Sequence, residues 1–146
     1  MRLAIVGPGA LGCLYAHRLA GSGADVSLVA KNADQAAQLR ELGVGLAGET
    51  PLHVPVLTAE APPKSFDLAV VLVKSLATEA AARALARLLA PDGLAVSLQN
   101  GLGNVEKLVA VLGAARVGGG TTAQGAYLAS PGRYVHGGEG LTRVAV

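Results

Sequence analysis

Short apolar runs alternate along the chain with stretches of helical periodicity. Residues 3–6, 67–73 and 94–98 are almost entirely apolar and show no polar alternation, as in strands that are buried on both faces. Residues 104–112 instead place their apolar side chains at the spacing of one helix face. Because strand and helix recur several times, the pattern predicts an α/β fold with an open, mostly parallel sheet and helices on both faces.

Capping and turn residues set the limits of the predicted elements. Asn32 can accept an N–H of a first helical turn, so we predict that it caps a helix ending near Leu42, before Gly43. The Gly-Ser-Gly at 21–23 ends an earlier helix in the same way. In chain order we predict strands at 3–6, 25–29, 67–73 and 94–98, and helices that end before 21, near 42, at 90 and at 112.

Two segments depart from this alternation. The stretches 44–46 and 52–57 flank a turn-forming Gly-Glu-Thr-Pro at 48–51, which predicts two short antiparallel strands rather than another crossover. The tail after 117 is rich in strand formers and glycine turns. We predict strands there at 126–128, 133–136 and 141–146.

The chain has the size and composition of a single domain. Its 146 residues are 51% hydrophobic and only 3% aromatic, which suits a parallel sheet covered by helices of small residues. The net charge is +2, and no basic run or aromatic platform favours a nucleic acid partner. Apolar runs reach about eight residues, too short for a membrane span. One cysteine excludes an internal disulfide, and we expect a cytoplasmic protein.

A glycine motif joins the first strand to the first helix. Gly7-Pro8-Gly9-Ala10-Leu11-Gly12 has the G-x-G-x-x-G spacing of dinucleotide-binding Rossmann domains. The first glycine permits the tight turn, the second lets the backbone approach a pyrophosphate, and the third lets helix and strand pack closely. The helix N-terminus adds free N–H groups and a partial positive charge. This context favours a dinucleotide site over a glycine-rich turn without a ligand.

The end of the second strand indicates which dinucleotide is bound. In NAD-binding domains an Asp or Glu at this point accepts hydrogen bonds from the adenosine ribose. Here the sequence has Lys31, which can pair with a 2'-phosphate, so NADP(H) is the expected cofactor. A solvated surface lysine is the alternative for Lys31, and the nearby Asp34 keeps NAD open.

Two polar residues follow the two later core strands. Lys74 and Asn100 stand at or just past the strand ends, where open α/β sheets bind their ligands. Lys74 can neutralise an anion, and the Asn100 amide can donate to a carbonyl oxygen or hold a nicotinamide. We predict that both line one cleft, although each residue alone also fits a cap or surface position. The three histidines lack Cys or carboxylate partners at ligand spacing, so no metal site is predicted.

Several motifs occur in a specific order along the chain. The glycine motif and Lys31 are followed by Val-Leu-Val-Lys-Ser at 71–75, Gln-Asn-Gly-Leu-Gly at 99–103 and Gly-Thr-Thr at 120–122, which leads to Gly-Ala at 125–126. In this order the chain resembles the N-terminal domain of the ketopantoate reductases (2-dehydropantoate 2-reductases). The resemblance covers essentially the whole chain, so 1–146 is taken as one dinucleotide-binding domain.

The resemblance implies an activity and a set of roles. The activity is NADPH-dependent reduction of a small 2-oxo acid, ketopantoate, to pantoate on the route to pantothenate and coenzyme A, with hydride from nicotinamide C4. The glycine motif would hold the pyrophosphate, and Lys31 the 2'-phosphate. Lys74 and Asn100 would contact the cofactor, Asn100 would also contact the substrate, and Ala126 would add a backbone contact to the cofactor.

The resemblance also implies a second half that this chain does not match. Ketopantoate reductases are about twice this length, and their general-acid Lys lies in an all-helical C-terminal domain. Reducing a ketone needs a proton donor near the developing alkoxide, and we identify no catalytic residue of this kind here. Three alternatives are open: the binding half of such a reductase, completed by a C-terminal helical domain or a second subunit; a non-catalytic nucleotide-binding or sensing module; and a reductase of another 2-oxo or 3-hydroxy acid.

Overall fold

The computed structural model describes residues 1–146 as ten strands, four α-helices and two short 3-10 turns. In chain order the elements are β1 (Arg2–Val6), α1 (Ala10–Gly21), β2 (Asp25–Val29), α2 (Ala33–Leu42), β3 (Gly45–Leu46), β4 (Val56–Leu57), β5 (Phe66–Val71), α3 (Thr78–Leu88), β6 (Leu89–Ser97), α4 (Asn104–Leu112), β7 (Val117–Thr122), β8 (Gly125–Ser130), β9 (Arg133–Gly138) and β10 (Thr142–Ala145). The 3-10 turns are Ser75–Ala77 and Ala114–Arg116.

Seven strands form the main sheet in the order β10-β7-β6-β5-β1-β2-β4. All neighbours in it run parallel except β10, which is antiparallel to β7. In the central strand β1, Ala4 and Val6 belong to the core on one face, and Leu3 and Ile5 to the core on the other. A strand buried on both faces needs apolar residues at every position, which explains the unbroken apolar runs and confirms the predicted sheet.

Helices cover both faces of this sheet. Helices α3 and α4 pack on the face of Ala4 and Val6 through Ala81, Ala82, Leu85, Leu88, Leu108 and Leu112. Helices α1 and α2 pack on the opposite face through Cys13, Leu14, Ala16, Ala36 and Leu39. The small alanine side chains let these helices lie close to the sheet, as the composition predicted.

A second, three-stranded sheet lies on the α1 side, in the order β3-β9-β8. Its strands β8 and β9 are antiparallel, and Tyr134 on β9 is buried in the core that also contains residues of α1 and α2. The strands predicted in the tail are therefore confirmed. The strand predicted at 141–146 is β10 of the main sheet, where it pairs with β7, a strand that was not predicted. The assembly of β8 and β9 into a separate sheet was not predicted either, because the partner strand β3 is only two residues long.

The prediction for residues 44–57 is wrong. Only Val44 and Leu52 form an antiparallel bridge, whereas Gly45–Leu46 pairs with β9 and Val56–Leu57 pairs in parallel with β2. The unit β2-α2-β4 is thus a crossover, the arrangement that the sequence pattern disfavoured. The backbone N–H groups of Leu28 and Ala30 donate hydrogen bonds to the carbonyls of Pro55 and Leu57. Main-chain hydrogen bonds rather than a side-chain pattern therefore define this strand pair.

The direction of chain progression changes between β1 and β5. From β1 the sheet grows outward through β2 and β4 on one side and through β5, β6 and β7 on the other. Open α/β sheets bind their ligands at such a switch point, beyond the carboxyl ends of the strands. The glycine motif follows β1 directly at this point. No helix in the structure is long and apolar enough to cross a membrane.

Candidate functional site

The three motif glycines meet different surroundings. Gly7 has φ +103°, and a Cβ on it would lie 2.8 Å from the backbone nitrogen of Val73. A Cβ on Gly12 would collide with the Gly7 carbonyl oxygen. Gly9 has no atom within 4 Å of the position its Cβ would take. The first and third glycines are therefore required for packing, whereas the second borders the open space in which a ligand can approach the backbone.

The N-terminus of α1 offers unpaired donors beside this space. Gly9 caps the helix without a side chain, and no acidic residue lies in the first turn. The first intrahelical bond is donated by Cys13 to the Gly9 carbonyl, at 2.9 Å. The N–H groups of Ala10, Leu11 and Gly12 have no acceptor in the chain. Free donors and the positive end of a helix dipole fit a pyrophosphate.

Lys31 lies just past the end of β2 and is exposed. Its backbone N–H donates to Gln35 Oε1 at 3.0 Å, and the Gln35 N–H donates to Asn32 Oδ1 at 2.8 Å, as predicted for the cap of α2. The Lys31 ammonium forms no ion pair. Asp34 is exposed in the first turn of α2. Both groups that bear on cofactor choice are thus available to a ligand.

Lys74 and Asn100 border one cavity of about 300 Å³ at the switch point. Leu11 of the glycine motif also lines this cavity, so the first turn of α1 meets the segments after β5 and β6 there. Both side chains are exposed and make no hydrogen bond within the chain. The structure therefore brings these predicted residues together, with their polar ends free.

A second cavity of about 290 Å³ lies next to the first and shares Asn100 and Gln99 with it. It is lined further by Gly120 and Thr121 of β7 and by the start of α4. The Gly-Thr-Thr segment and the Gln-Asn-Gly segment thus face the same space. Asn100 is the predicted site residue that borders both cavities.

Ala126 lies apart from these residues. It is in β8 of the second sheet, paired with His136, and packs against the core on the α1 face. It lines neither cavity. A backbone contact from Ala126 to a cofactor stays a prediction.

A largely buried polar network in the cavity wall was missed by sequence reasoning. Its inner members are Thr78, Gln99 and Asn104, and Thr78 and Asn104 are only 0% and 2% exposed. Ser75 and Ser97 complete the network from the adjoining loops. The sequence feature that could have indicated this network is the group of polar residues at the starts of α3 and α4, which follow the strand-end residues.

The remaining reactive side chains serve packing. Cys13 is buried on α1, and burial raises the pKa of its thiol to about 11, so the thiol stays protonated and unreactive at neutral pH. His17 Nδ1 lies 2.7 Å from the Tyr134 hydroxyl, and His136 Nε2 lies 2.9 Å from Gln124 Oε1. His17 thus joins α1 to the second sheet, and His136 contacts the residue that precedes β8. No group of three or more metal-ligand side chains forms.

The comparisons with known proteins agree with this geometry. A family model described as ketopantoate reductase PanE/ApbA matches residues 3–146. The chain belongs to this family. A 2-dehydropantoate 2-reductase of Halobacterium salinarum is 39% identical over 149 residues, which cover 99% of this chain and 48% of that protein. The chain thus spans about half the length of the curated relative it matches.

Solved structures of two reductases or dehydrogenases have the same fold. A PanE/ApbA family ketopantoate reductase from Ralstonia eutropha superposes with a TM-score of 0.86 at 31% identity, over 99% of this chain and 49% of that one. A D-mandelate dehydrogenase, solved with NADH and anilino(oxo)acetate, superposes with a TM-score of 0.88 at 25% identity, over 99% and 48%. The similarity extends over the whole of this chain and about half of each neighbour.

Proposed function

We propose that this chain binds NADPH and forms the dinucleotide-binding half of a cytoplasmic oxidoreductase that reduces ketopantoate to pantoate. The observation that carries the proposal is that Leu11 of the glycine motif, Lys74 and Asn100 line one cavity beyond the strand ends. Membership of the ketopantoate reductase family supports the reaction class. The substrate would be a small 2-oxo acid.

In this proposal the residues of the chain bind and orient the cofactor. The free N–H groups at the start of α1 donate to the pyrophosphate oxygens, and Lys31 places its ammonium beside the 2'-phosphate. Asn100 borders both cavities, so it can hold the nicotinamide end and donate to the substrate carbonyl oxygen. When bound there, NADPH would supply a hydride from nicotinamide C4 to the 2-oxo carbon of the substrate.

The proton for the new hydroxyl has to come from elsewhere. Lys74 is the one titratable side chain that lines either cavity, and we assign it to the cofactor. We therefore propose that the general acid lies on a C-terminal helical domain or a second subunit. The half-length match to the relatives supports this arrangement.

Lys31 provides the test of the cofactor assignment. We expect NADPH to bind the wild-type chain more tightly than NADH, and Lys31→Ala to weaken NADPH roughly tenfold, because a charge-assisted bond to phosphate is lost. NADH has no 2'-phosphate, so its affinity should hold. Fluorescence titration of both cofactors measures the two effects.

Lys64→Ala is the matched control for this test. Lys64 precedes β5, at the edge of the sheet opposite the cavities, and its removal changes the net charge by the same amount. It should leave both affinities unaltered. Equal binding of NADPH and NADH by the wild-type chain would contradict the assignment. Tighter binding of NADH would favour an NADH-dependent reaction with another 2-oxo acid, the alternative that the similarity to D-mandelate dehydrogenase supports.

A further inference from the structure

The buried network of Thr78, Gln99 and Asn104 connects the loop after β5 to the loop after β6. Gln99 Nε2 donates to the Val73 carbonyl at 2.7 Å and to Thr78 Oγ1 at 2.7 Å. The Thr78 hydroxyl donates to Asn104 Oδ1 at 2.9 Å. Asn104 Nδ2 then donates to the Asn100 carbonyl at 3.0 Å. The hydrogen bonds therefore run from the backbone of one loop to the backbone of the other.

The two ends of this network coincide with the two site residues. The carbonyl of Val73 belongs to the peptide bond that leads into Lys74, and the other fixed carbonyl is that of Asn100 itself. The side chains of Lys74 and Asn100 take no part in the network and make no hydrogen bond elsewhere. The backbone of both residues is held while their side chains stay free for a ligand.

We propose that Thr78, Gln99 and Asn104 are positioning residues that keep Lys74 and Asn100 at a fixed separation around the nicotinamide end of the cofactor. Thr78 occupies the centre, because its hydroxyl accepts from Gln99 and donates to Asn104. It lines neither cavity, so it acts on a ligand only through the loops. The inference rests on the proposed binding of NADPH.

A buried network in which every group has a partner is rigid, whereas the loss of one partner lowers the stability of the folded state. No buried side-chain nitrogen or oxygen in the chain lacks a hydrogen-bond partner. Removing the Thr78 hydroxyl would leave the Gln99 amide and the Asn104 oxygen each short of one partner in a buried site. The two loops would then adjust their backbones, and the positions of Lys74 and Asn100 would change together.

The test compares two ligands that share the adenosine end. NADPH reaches both loops, whereas adenosine 2',5'-bisphosphate lacks the nicotinamide half and binds only near Lys31 and the glycine motif. We expect Thr78→Val, which keeps the side-chain shape, to weaken NADPH roughly tenfold. The bisphosphate should lose less than about twofold, since its contacts are distant from the change. Calorimetric titration measures both.

Three further variants separate positioning from general stability. Thr78→Ser keeps the hydroxyl and should restore NADPH binding. Thr142→Val removes a hydroxyl from a cluster with Tyr15 and Thr122 and should change neither affinity. If Thr78→Val does not fold, Thr78→Cys keeps the volume with a weaker donor and should show the same selective loss.

The outcomes distinguish the two proposals. Selective loss of NADPH affinity supports the positioning role. Equal losses for both ligands, or no loss for either, overturn it and leave the network a packing feature of the fold. A wild-type chain that binds adenosine 2',5'-bisphosphate and NADPH equally weakly overturns the proposed function, and this inference with it.

Discussion

At the scale of single residues, Gly9 and Gly12 belong to one motif but carry different constraints. Gly12 is buried, and its missing side chain lets the start of α1 lie against the Gly7 carbonyl. Gly9 has ordinary negative φ of −76° and faces open space, so the fold itself tolerates a side chain there. The contribution of Gly12 to stability and that of Gly9 to the proposed ligand site can therefore be tested independently.

Alanine at each position exposes this difference. Gly12→Ala should lower the free energy of unfolding by about 1–3 kcal/mol or more, because the new methyl group overlaps the Gly7 carbonyl. Gly9→Ala should leave the unfolding midpoint nearly constant but weaken NADPH roughly tenfold, which corresponds to about 1.4 kcal/mol of blocked phosphate contact. Urea unfolding and cofactor titration measure the two quantities. Equal destabilisation by both variants would contradict this division.

At the scale of elements, a polar pair fastens two central strands at their amino ends. The Arg2 backbone N–H donates to Asp67 Oδ2 at 2.7 Å, and Arg2 Nη2 lies 3.1 Å from Asp67 Oδ1. These bonds join the amino ends of β1 and β5, at the edge of the sheet away from the cavities. The hydrogen bonds from Arg2 lower the pKa of the Asp67 carboxyl below its ordinary value.

This pair predicts a pH dependence of stability. A depressed folded-state pKa stabilises the fold above the unfolded value, near pH 4, and the contribution is lost as the pH falls through the folded value. Asp67→Asn should therefore be less stable than wild type at neutral pH, by a small and salt-sensitive amount because the pair is exposed. The two curves should converge in acid. A gap that widens below pH 4 would refute this.

The predictability of each element depended on how local its signal was. Helix α4 occupies 104–112 as predicted, and α2 begins after its Asn32 cap, because periodicity and caps are local. Strand β6 begins at 89, before the predicted start at 94. Residues 89–93 were not predicted as strand because they contain no apolar run, and their pairing to β5 is irregular. The polar network was not predictable, because Thr78 is 21 and 26 positions from its two partners in the sequence. A sequence also does not distinguish a buried polar residue from a solvated one.

At the scale of the whole molecule, the chain combines a proposed cofactor site with no assigned proton donor. The strand ends, the glycine motif and the buried network all converge on the carboxyl edge of the main sheet. Binding there favours the folded state and should raise its stability in proportion to ligand occupancy. With Lys74 assigned to the cofactor, the proposed reduction needs a proton donor other than the one titratable side chain at the cavities.

Binding and turnover should therefore separate in this chain. NADPH at about one hundred times its Kd should add about 2.7 kcal/mol to the free energy of unfolding, which thermal melts detect as a rise in Tm. Mixed with ketopantoate, the same sample should consume NADPH no faster than a sample without protein. Reduction at an ordinary enzymatic rate would show that the proton donor lies within residues 1–146.

The antiparallel direction of β10 places its last residues at the same edge of the main sheet as the first residues of β1. Strand β1 begins at the edge of the sheet away from the cavities, and β10 returns from Thr142, paired with Thr122, to Ala145, paired with Gly119, at that same edge. Met1 and Val146 are both exposed. A fluorescent label on an exposed side chain at that edge would therefore lie on the opposite side of the sheet from the two cavities and would leave their openings facing solution.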